Sequence, residues 1–487
     1  MLVAALRQRI LELAIQGKLV PQSPEDGNAE DLYQQIQLER KKLIAAGKLK
    51  KEKPLPSIKE EEIPFNIPKS WKWVRLGEVA KLGSGLTPSK QNPEFYARGT
   101  IPWLLTGDLN DGYIEKIPHK ITEKALSATT IKIKPANSVV VAMYGATIGK
   151  LGILKTSACM NQACCCIEVC EGVCNLYIFY YLWANRQQLK SAGVGGAQPN
   201  ISKEKLVVQM LPLPPYDEQR RIIKKVESLF KGLDALEVSQ ERVAAIQTEL
   251  NKRILERAIQ GKLVPQCPEE GTAEDLYQQI QEEKKKLIAA GKLKKEKPLP
   301  PISDDEVPFD IPESWKWVHL DSIAQTALGK TLDKVKNTGE YHPYLCSINV
   351  YWSGIDLSKV KEARFEVDEL QKYRLKKGDL LICEGGDAGR SAIWESDAEM
   401  YYQNALHRVR FYGGISPYFY KYLLEYYGAA GILKAHCKGQ TIKHLVQKSL
   451  CSMWLPLPPL AEQRRIVEKI EKCWHSVPNK LLPYGKR

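Results

Sequence analysis

The sequence LPLPPYDEQRRI at residues 211–222 returns almost unchanged as LPLPPLAEQRRI at residues 455–466, an offset of 244 residues. Its consecutive prolines cannot continue a preceding helix, although proline is well placed at the start of a new one. In the first copy Asp217 and Glu218 follow at once, and acidic side chains favour the positive N-terminal end of a helix. Each copy therefore predicts the end of one folded region and the start of a helix.

A second repeated block lies upstream of each copy, at the same offset. Residues 9–76 align with residues 253–320 without a gap, and 54 of the 68 positions are identical. The segments between the blocks, residues 77–210 and 321–454, are equally long but align only through scattered glycines and a late glutamine. Since this period far exceeds the roughly 20–50 residues of a solenoid repeat, it indicates a duplicated domain with its connector.

The repeat predicts five segments and two equivalent cores. Trp71, Trp73, Trp315 and Trp317 are expected to anchor the sheet of each globular domain. The segments are a helical N-terminal repeated region (1–62), a first globular domain (63–215), a central repeated region with a long helix (216–306), a second globular domain (307–459) and a shortened C-terminal helix (460–487).

The connector after residue 215 has the pattern of a long helix packed along a partner. Its apolar positions alternate at spacings of four and three residues, and this average of 3.5 is typical of coiled coils. A helix over residues 216–260 would be about 65–70 Å long. Its partner would come from the other copy, split between the two chain ends; the alternative is a solitary amphipathic helix lying on one domain. The positions expected in the spacer contact are Ile222, Val226, Leu229, Leu233, Leu236, Val243, Leu250, Ile254, Ile466 and Ile470.

The charge balance favours an anionic partner. The chain has 71 Lys and Arg against 57 Asp and Glu, a net charge of +14. Residues 36–53 and 280–297 each hold seven Lys or Arg. They could neutralise phosphates, but a solvated helix face with a Lys-rich loop is the commoner case and the one we favour. No apolar stretch approaches the roughly 20 residues of a membrane helix, and the charged N-terminal segment is unlike a signal peptide. We therefore expect a cytoplasmic protein without a membrane partner.

Six of the twelve cysteines lie close together, at positions 159–174. Three are consecutive, and no histidine falls among them, so the spacing lacks the paired C-x2-C knuckles of a zinc site. A free cysteine behaves as a small apolar residue. The pattern predicts a buried strand over residues 164–169 rather than a metal site.

The ordered motifs around these blocks resemble the specificity subunit of type I restriction-modification enzymes. The first domain contains GSGLTPSK (83–90), GTIPW (99–103), TGD (106–108), YGATIGK (144–150), NQA (161–163) and AQPNI (197–201), and the second has the weaker counterparts GKT (329–331), KGD (377–379), GGDAGR (385–390), QNA (403–405) and GQTI (439–442). The resemblance implies an α/β (α+β) fold with two globular target-recognition domains separated by a long antiparallel helical spacer and related by an internal pseudo-two-fold repeat. It also implies a bipartite double-stranded DNA target, two adenine methyltransferase subunits and an ATP-driven restriction subunit as partners. The short C-terminal helix departs from the family pattern.

The glycine-flanked loops combine small polar side chains with Lys or Arg, as DNA contacts require. Arg and Lys can bond guanine, Asn and Gln can pair with adenine, and Ser and Thr mostly fix register on phosphates. For each residue, stabilisation of its own loop is the alternative. The candidate DNA-binding residues are Ser84, Thr87, Ser89, Lys90, Tyr144, Thr147, Lys150, Gln198, Asn200, Lys330, Thr331, Lys334, Arg390, Asn404, His407, Arg408 and Gln440.

No motif supports catalysis by this chain. YGATIGK (144–150) has three residues between its glycines where a phosphate-binding loop needs four, and AQTALGKT (324–331) lacks the first glycine. We find no methyltransferase cofactor loop and no histidine pair with zinc-site spacing. We therefore expect no catalytic residues, no metal and no cofactor. The competing hypotheses are a protein-binding adaptor with duplicated domains and a fused restriction-modification enzyme with its own activity.

Overall fold

A computed structural model describes residues 2–47, 49, 53–191, 200–294, 299–303, 306–333, 335–439 and 444–476. The chain divides into two compact units, Met1–Ser239 (unit 1) and Gln240–Arg487 (unit 2). Each unit holds one globular domain and part of the helical framework. No helix in the described ranges has the length and apolar character needed to cross a membrane.

Unit 1 mixes helices with short strands. Its helices are α1 (Leu2–Ile15), α2 (Ala29–Ala45), α3 (Leu76–Val79), α4 (Glu123–Ala128), α5 (Asn175–Ala184), α6 (Arg186–Ser191), α7 (Lys203–Val208) and the first part of α8 (Tyr216–Ile259); its strands are β1 (Lys72–Arg75), β2 (Ala80–Ser84), β3 (Ile101–Leu104), β4 (Gly112–Ile114), β5 (Lys120–Ile121), β6 (Val139–Ala142), β7 (Leu151–Leu154), β8 (Cys159–Met160), β9 (Cys164–Val169) and β10 (Met210–Leu213). The main sheet has the order β2-β9-β6-β7-β4, and a smaller sheet has the order β5-β3-β8.

Unit 2 continues α8 and repeats this plan. Its further helices are α9 (Ala273–Ala289), α10 (Leu320–Ile323), α11 (Leu370–Tyr373), α12 (Pro417–Ala429), α13 (Ile432–His436), α14 (Gln447–Cys451) and α15 (Leu460–His475); its strands are β11 (Lys316–His319), β12 (Ala324–Leu328), β13 (Glu340–Leu345), β14 (Val350–Tyr351), β15 (Gly354–Ile355), β16 (Lys361–Phe365), β17 (Leu380–Cys383), β18 (Ser391–Ile393), β19 (Tyr401–Tyr402), β20 (Leu406–Phe411) and β21 (Trp454–Leu457). The main sheet has the order β12-β20-β17-β18, with smaller sheets β16-β13-β19 and β14-β15.

The two repeated blocks pair with each other in both units. Strand β1, from the SWKWV block, pairs antiparallel with β10, from the LPLPP block, and β11 pairs with β21 in the same way. Trp71 donates from Nε1 to Glu218 at 2.8 Å, and Trp315 donates to Glu462 at 2.9 Å. Both tryptophans are buried, as predicted, whereas Trp73 and Trp317 are half-buried.

The cysteine-rich segment forms the buried strand predicted for it. Cys164, Cys165 and Cys166 are fully buried in β9. Burial raises the pKa of Cys166 to about 11 and that of Cys165 to about 12, so these thiols stay protonated. Among the residues that the structure describes, no group of three His, Cys, Asp or Glu could hold a metal ion.

The predicted long helix is present, but its apolar seam is not covered along its whole length. Helix α8 has 44 residues, which corresponds to about 66 Å. Leu236, Val243 and Leu250 are each about 40% exposed. The candidate partner helices α1 and α15 have 14 and 16 residues, and the spacer contact of these three positions stays a prediction. Seam positions nearer the ends of α8 and in α15 are buried, namely Ile222, Val226, Ile466 and Ile470, while Leu229, Leu233 and Ile254 are half-buried.

In unit 1 the first helix packs antiparallel to the start of α8. Arg7 donates to Glu237 at 2.9 Å and stands 5.9 Å from the ring centroid of Phe230. After α1, the side-chain amide of Gln22 donates to Glu218. Later residues of the N-terminal segment therefore contact earlier residues of α8, which makes the two segments antiparallel. In unit 2, Ile466 and Ile470 share a core with Leu255 and Ile259 of α8.

Candidate nucleic-acid interface

In unit 1 the family-like motifs meet at one end of the main sheet. The Gly85 N–H donates to the Cys164 carbonyl at 3.0 Å, which brings the loop after β2 to the start of β9. Met143, just after β6, donates to the Ala163 carbonyl at 2.8 Å. The Ile201 N–H donates in turn to the Met143 carbonyl at 2.7 Å. Four segments distant in sequence therefore form one loop cluster.

Unit 2 builds the same cluster with different residues. The Gly329 N–H donates to the Leu406 carbonyl at 2.9 Å, which corresponds to the contact of Gly85. The backbone N–H of Glu384 donates to the Ala405 carbonyl at 2.9 Å, and the backbone N–H of Leu445 donates to the Glu384 carbonyl at 2.7 Å. The three backbone contacts are thus repeated in domains whose side chains differ.

Two glycines at equivalent positions make this convergence possible. A Cβ atom on Gly85 would lie 2.1 Å from the Asn161 carbonyl oxygen, and one on Gly329 would lie 2.5 Å from the Gln403 carbonyl oxygen. Both distances are far below van der Waals contact. Gly145 and Gly149 have φ values of +82° and +76°, a conformation suited to glycine. The glycines of the motifs therefore shape the loops.

The predicted residues of unit 1 fall into two groups. Ser84, Ser89, Lys90, Lys150 and Asn200 are exposed at the loop cluster. The half-buried candidates are Thr87, Tyr144 and Thr147, and Gln198 lies outside the described residues.

In unit 2 the predicted residues are mostly less accessible. Thr331 is exposed, and Arg390 and Asn404 are half-buried. Arg390 donates to the Ser347 carbonyl at 2.8 Å and stands 5.2 Å from the ring centroid of Tyr351. Lys334 and Gln440 lie outside the described residues. The remaining three candidates, Lys330, His407 and Arg408, are buried.

Lys330 supports its own domain. Its ammonium group is paired with Glu366, at 2.5 Å, and with Glu369, and it lies 5.3 Å from the ring centroid of Phe365. Burial disfavours the charged ammonium, but the hydrogen bonds with the two carboxylates outweigh this cost and raise the pKa of Lys330. In this conformation the group has no free face for DNA.

His407 and Arg408 are likewise held inside the sheet. His407 Nε2 lies 2.8 Å from the Leu445 carbonyl, and burial lowers the pKa of its imidazole, so the neutral form is favoured near pH 7. Arg408 donates to the Lys372 carbonyl at 3.2 Å. Both residues lie in β20, where four successive side chains are buried on both faces, and strand alternation alone does not predict this.

Three further side chains at the clusters were not among the candidates. Gln162 is exposed beside Asn161 in unit 1, and Lys438 and His444 are exposed where their backbones pair in unit 2. The NQA motif was a signal for Gln162. Lys438 directly precedes the GQTI motif, but no pattern marked it.

The equivalent loop clusters define a class of protein with two related domains, each built from the same repeated blocks. The family model described as "Type I restriction modification DNA specificity domain" matches residues 68–244 and 312–475. The chain belongs to this family, whose known role is DNA target recognition rather than catalysis.

Named relatives extend over nearly the whole chain. The type I restriction enzyme EcoAI specificity subunit of Escherichia coli is 27% identical over 96% of this chain and 88% of its own length. The EcoEI specificity subunit of the same species is 26% identical with the same coverage.

Solved structures show the same fold. A chain from a structure described as the basis of complex assembly and conformational transition of the type I R-M system has a TM-score of 0.60, with 17% identity over 85% of this chain and 92% of that chain. The HsdS subunit from Thermoanaerobacter tengcongensis has a TM-score of 0.52, with 18% identity over 85% and 91%. The predicted α/β class with two recognition regions is confirmed.

Proposed function

We propose that each globular domain, residues 63–215 and 307–459, reads one half of a bipartite DNA target through its loop cluster. The observation that carries this proposal is the triplet of backbone hydrogen bonds repeated in both domains. Backbone bonds hold the loops in the same arrangement whatever the side chains are, so the exposed side chains can differ. Two such surfaces can recognise two different half-sites.

The exposed residues of unit 1 suit both kinds of DNA contact. Lys90 and Lys150 can bind phosphate or the guanine edge, and Asn200 can pair with adenine. Ser84 and Ser89 can fix register on phosphates. In unit 2 Thr331 and the side chains of Arg390 and Asn404 are the corresponding candidates, whereas Lys330, His407 and Arg408 are left out because they are buried.

The family assignment supports work in a complex. We infer that two methyltransferase subunits methylate an adenine in each half-site after it is flipped out of the duplex, and that a restriction subunit joins the full complex. The exposed seam residues Leu236, Val243 and Leu250 are available to such a partner. The assembly would act on DNA in the cytoplasm.

A domain exchange tests the proposal. Residues 77–210 are replaced by the corresponding segment of an unrelated specificity subunit, which leaves β1 and most of β10 in place. The chain is expressed with its methyltransferase partner, and adenine methylation is mapped across the genome. We expect a split motif of which one half changes with the exchange and the other does not. Methylation without a motif, from a stable complex, would contradict DNA reading by these domains.

A further inference from the structure

A basic groove of about 720 Å³ lies in unit 2, away from the loop cluster. It is formed between the second half of α9, residues 292–294 and 299, and the start of β12. Its cationic lining consists of Lys284, Lys285, Lys292 and Lys294, with His319 beside them. Asp321 is the acidic residue among those described as lining it.

The groove combines a fixed cation with accessible ones. Lys284 donates to the Asp321 carbonyl at 2.6 Å and stands 5.8 Å from the ring centroid of Tyr412. Lys292 and Lys294 are exposed at the rim. Cations spread along a groove, with polar and aromatic neighbours, match a chain of phosphates better than a compact anion.

Unit 1 has a groove of about 870 Å³ at the corresponding place, and its described lining holds both basic and acidic side chains. Arg40 occupies the position of Lys284 and donates to the Cys170 sulfur at 3.8 Å. Glu39, Glu168 and Glu171 also line this groove. Among the described lining residues, Glu168 and Glu171 add negative charge in unit 1 that has no counterpart in the unit 2 lining. Lys48 and Lys50, the counterparts of Lys292 and Lys294, lie outside the described residues.

The groove and the loop cluster lie at opposite ends of the same edge strand. Ala324, Gln325 and Thr326 of β12 line the groove, and Gly329 follows the other end of the strand in the loop cluster. These lining residues are three to five residues from Gly329, which corresponds to about 10–17 Å along the strand. Because DNA rises about 3.4 Å per nucleotide, this distance corresponds to roughly three to five nucleotides along one strand.

We propose that the groove of unit 2 binds the phosphate backbone of DNA, about three to five nucleotides from the bases that the loop cluster reads. This inference rests on the proposed function, since it assumes that DNA lies along the edge strand β12. The contact is sequence-independent: the lysines neutralise phosphates and release counterions, so they add affinity without adding base preference.

The test removes two rim charges from the full chain in complex with its methyltransferase partner. The variant is Lys292→Gln with Lys294→Gln, and the matched control is Lys262→Gln with Lys286→Gln, two exposed lysines of the same region that do not line the groove. Binding of the mapped target duplex and of a scrambled duplex is measured between 50 and 300 mM salt.

We expect the groove variant to bind both duplexes more weakly, with a log–log salt slope smaller by about 2, because each phosphate contact contributes about 0.9. The control should keep the wild-type slope, and the methylated motif should be unchanged in both. An unchanged slope in the groove variant would overturn the proposal. If the groove variant no longer binds its methyltransferase partner but keeps the wild-type salt slope, the proposal is also overturned. The groove would then be a protein-docking surface. If the wild-type complex shows no base preference, the proposed function fails, and the slope still decides whether the groove binds phosphate.

Discussion

Unit 1 and unit 2 share their framework contacts, yet they reverse a charge at one equivalent position of their sheets. In β9 Glu168 accepts from Lys134 at 2.9 Å, whereas in β20 the equivalent Arg410 donates to Asp379 at 2.7 Å. In each unit the oppositely charged side chain lies just before the strand that neighbours β9 or β20 in the sheet, namely β6 or β17. A side-chain pair can be exchanged in this way because the strand ladder depends on backbone groups alone.

The framework does not show such exchange. The buried glutamate of the EQRR sequence accepts from a tryptophan in both units, and it also accepts from Gln22 or Gln266 at 2.5 Å. All these residues lie in the repeated blocks. The comparison teaches that the contacts joining the blocks are specific, whereas the inserts need only preserve backbone connections.

Removal of the framework carboxylate should have the largest effect on both units. In Glu218→Ala the buried indole of Trp71 loses its acceptor and the amide of Gln22 loses a hydrogen bond, which costs about 3 kcal/mol of unfolding free energy. Glu462→Ala should cost a similar amount in unit 2. Hydrogen exchange of each unit under native conditions measures both effects.

The control for this prediction is Glu227→Ala, which removes an exposed glutamate of the same helix and should change stability by less than about 0.5 kcal/mol. A large loss in one unit and none in the other would mean that the two frameworks are not equivalent.

Glycine substitutions in the loop clusters should each weaken recognition of one half-site. Their cost in free energy should be smaller than that of the carboxylate variants. A methyl group on Gly85 or Gly329 meets backbone carbonyl groups, so the loop must shift, at a cost of about 1–3 kcal/mol. We expect Gly85→Ala and Gly329→Ala each to weaken recognition of a different half-site by about tenfold or more. Binding to duplexes with one half-site altered measures this.

Gly107→Ala is the matched control, because its Cβ would meet no atom within 4 Å and its φ is not positive. Equal loss at both half-sites from either glycine variant would show that the loop clusters do not act separately.

The sequence predicted the duplicated architecture because identical residues at a fixed offset report it directly. It predicted α8 and the strand β9 because helical spacing and apolar runs are local signals. It could not place Lys330, whose partners Glu366 and Glu369 are more than thirty residues away and carry no distinguishing motif. It predicted the apolar face around Val243, which is exposed here, but periodicity does not report whether a partner lies on that face.

The smallest effect we predict concerns pH, and it tests whether the two framework carboxyls behave alike. Burial raises the pKa of Glu218 and of Glu462, although the hydrogen bonds from the tryptophan and the glutamine oppose this. The folded state therefore binds the proton more tightly than the unfolded state. The resulting contribution to stability is complete below the unfolded pKa and is lost as the pH rises through the folded value.

A glutamine at these positions does not titrate. The stability of the wild type relative to Glu218→Gln or Glu462→Gln should accordingly be most favourable near pH 4 and decline towards pH 7, in parallel for the two sites. Urea unfolding over this range measures the difference, in which the other titrating groups cancel. A difference that grows with pH would instead mean that the buried site favours the carboxylate, and the burial argument would fail for the framework.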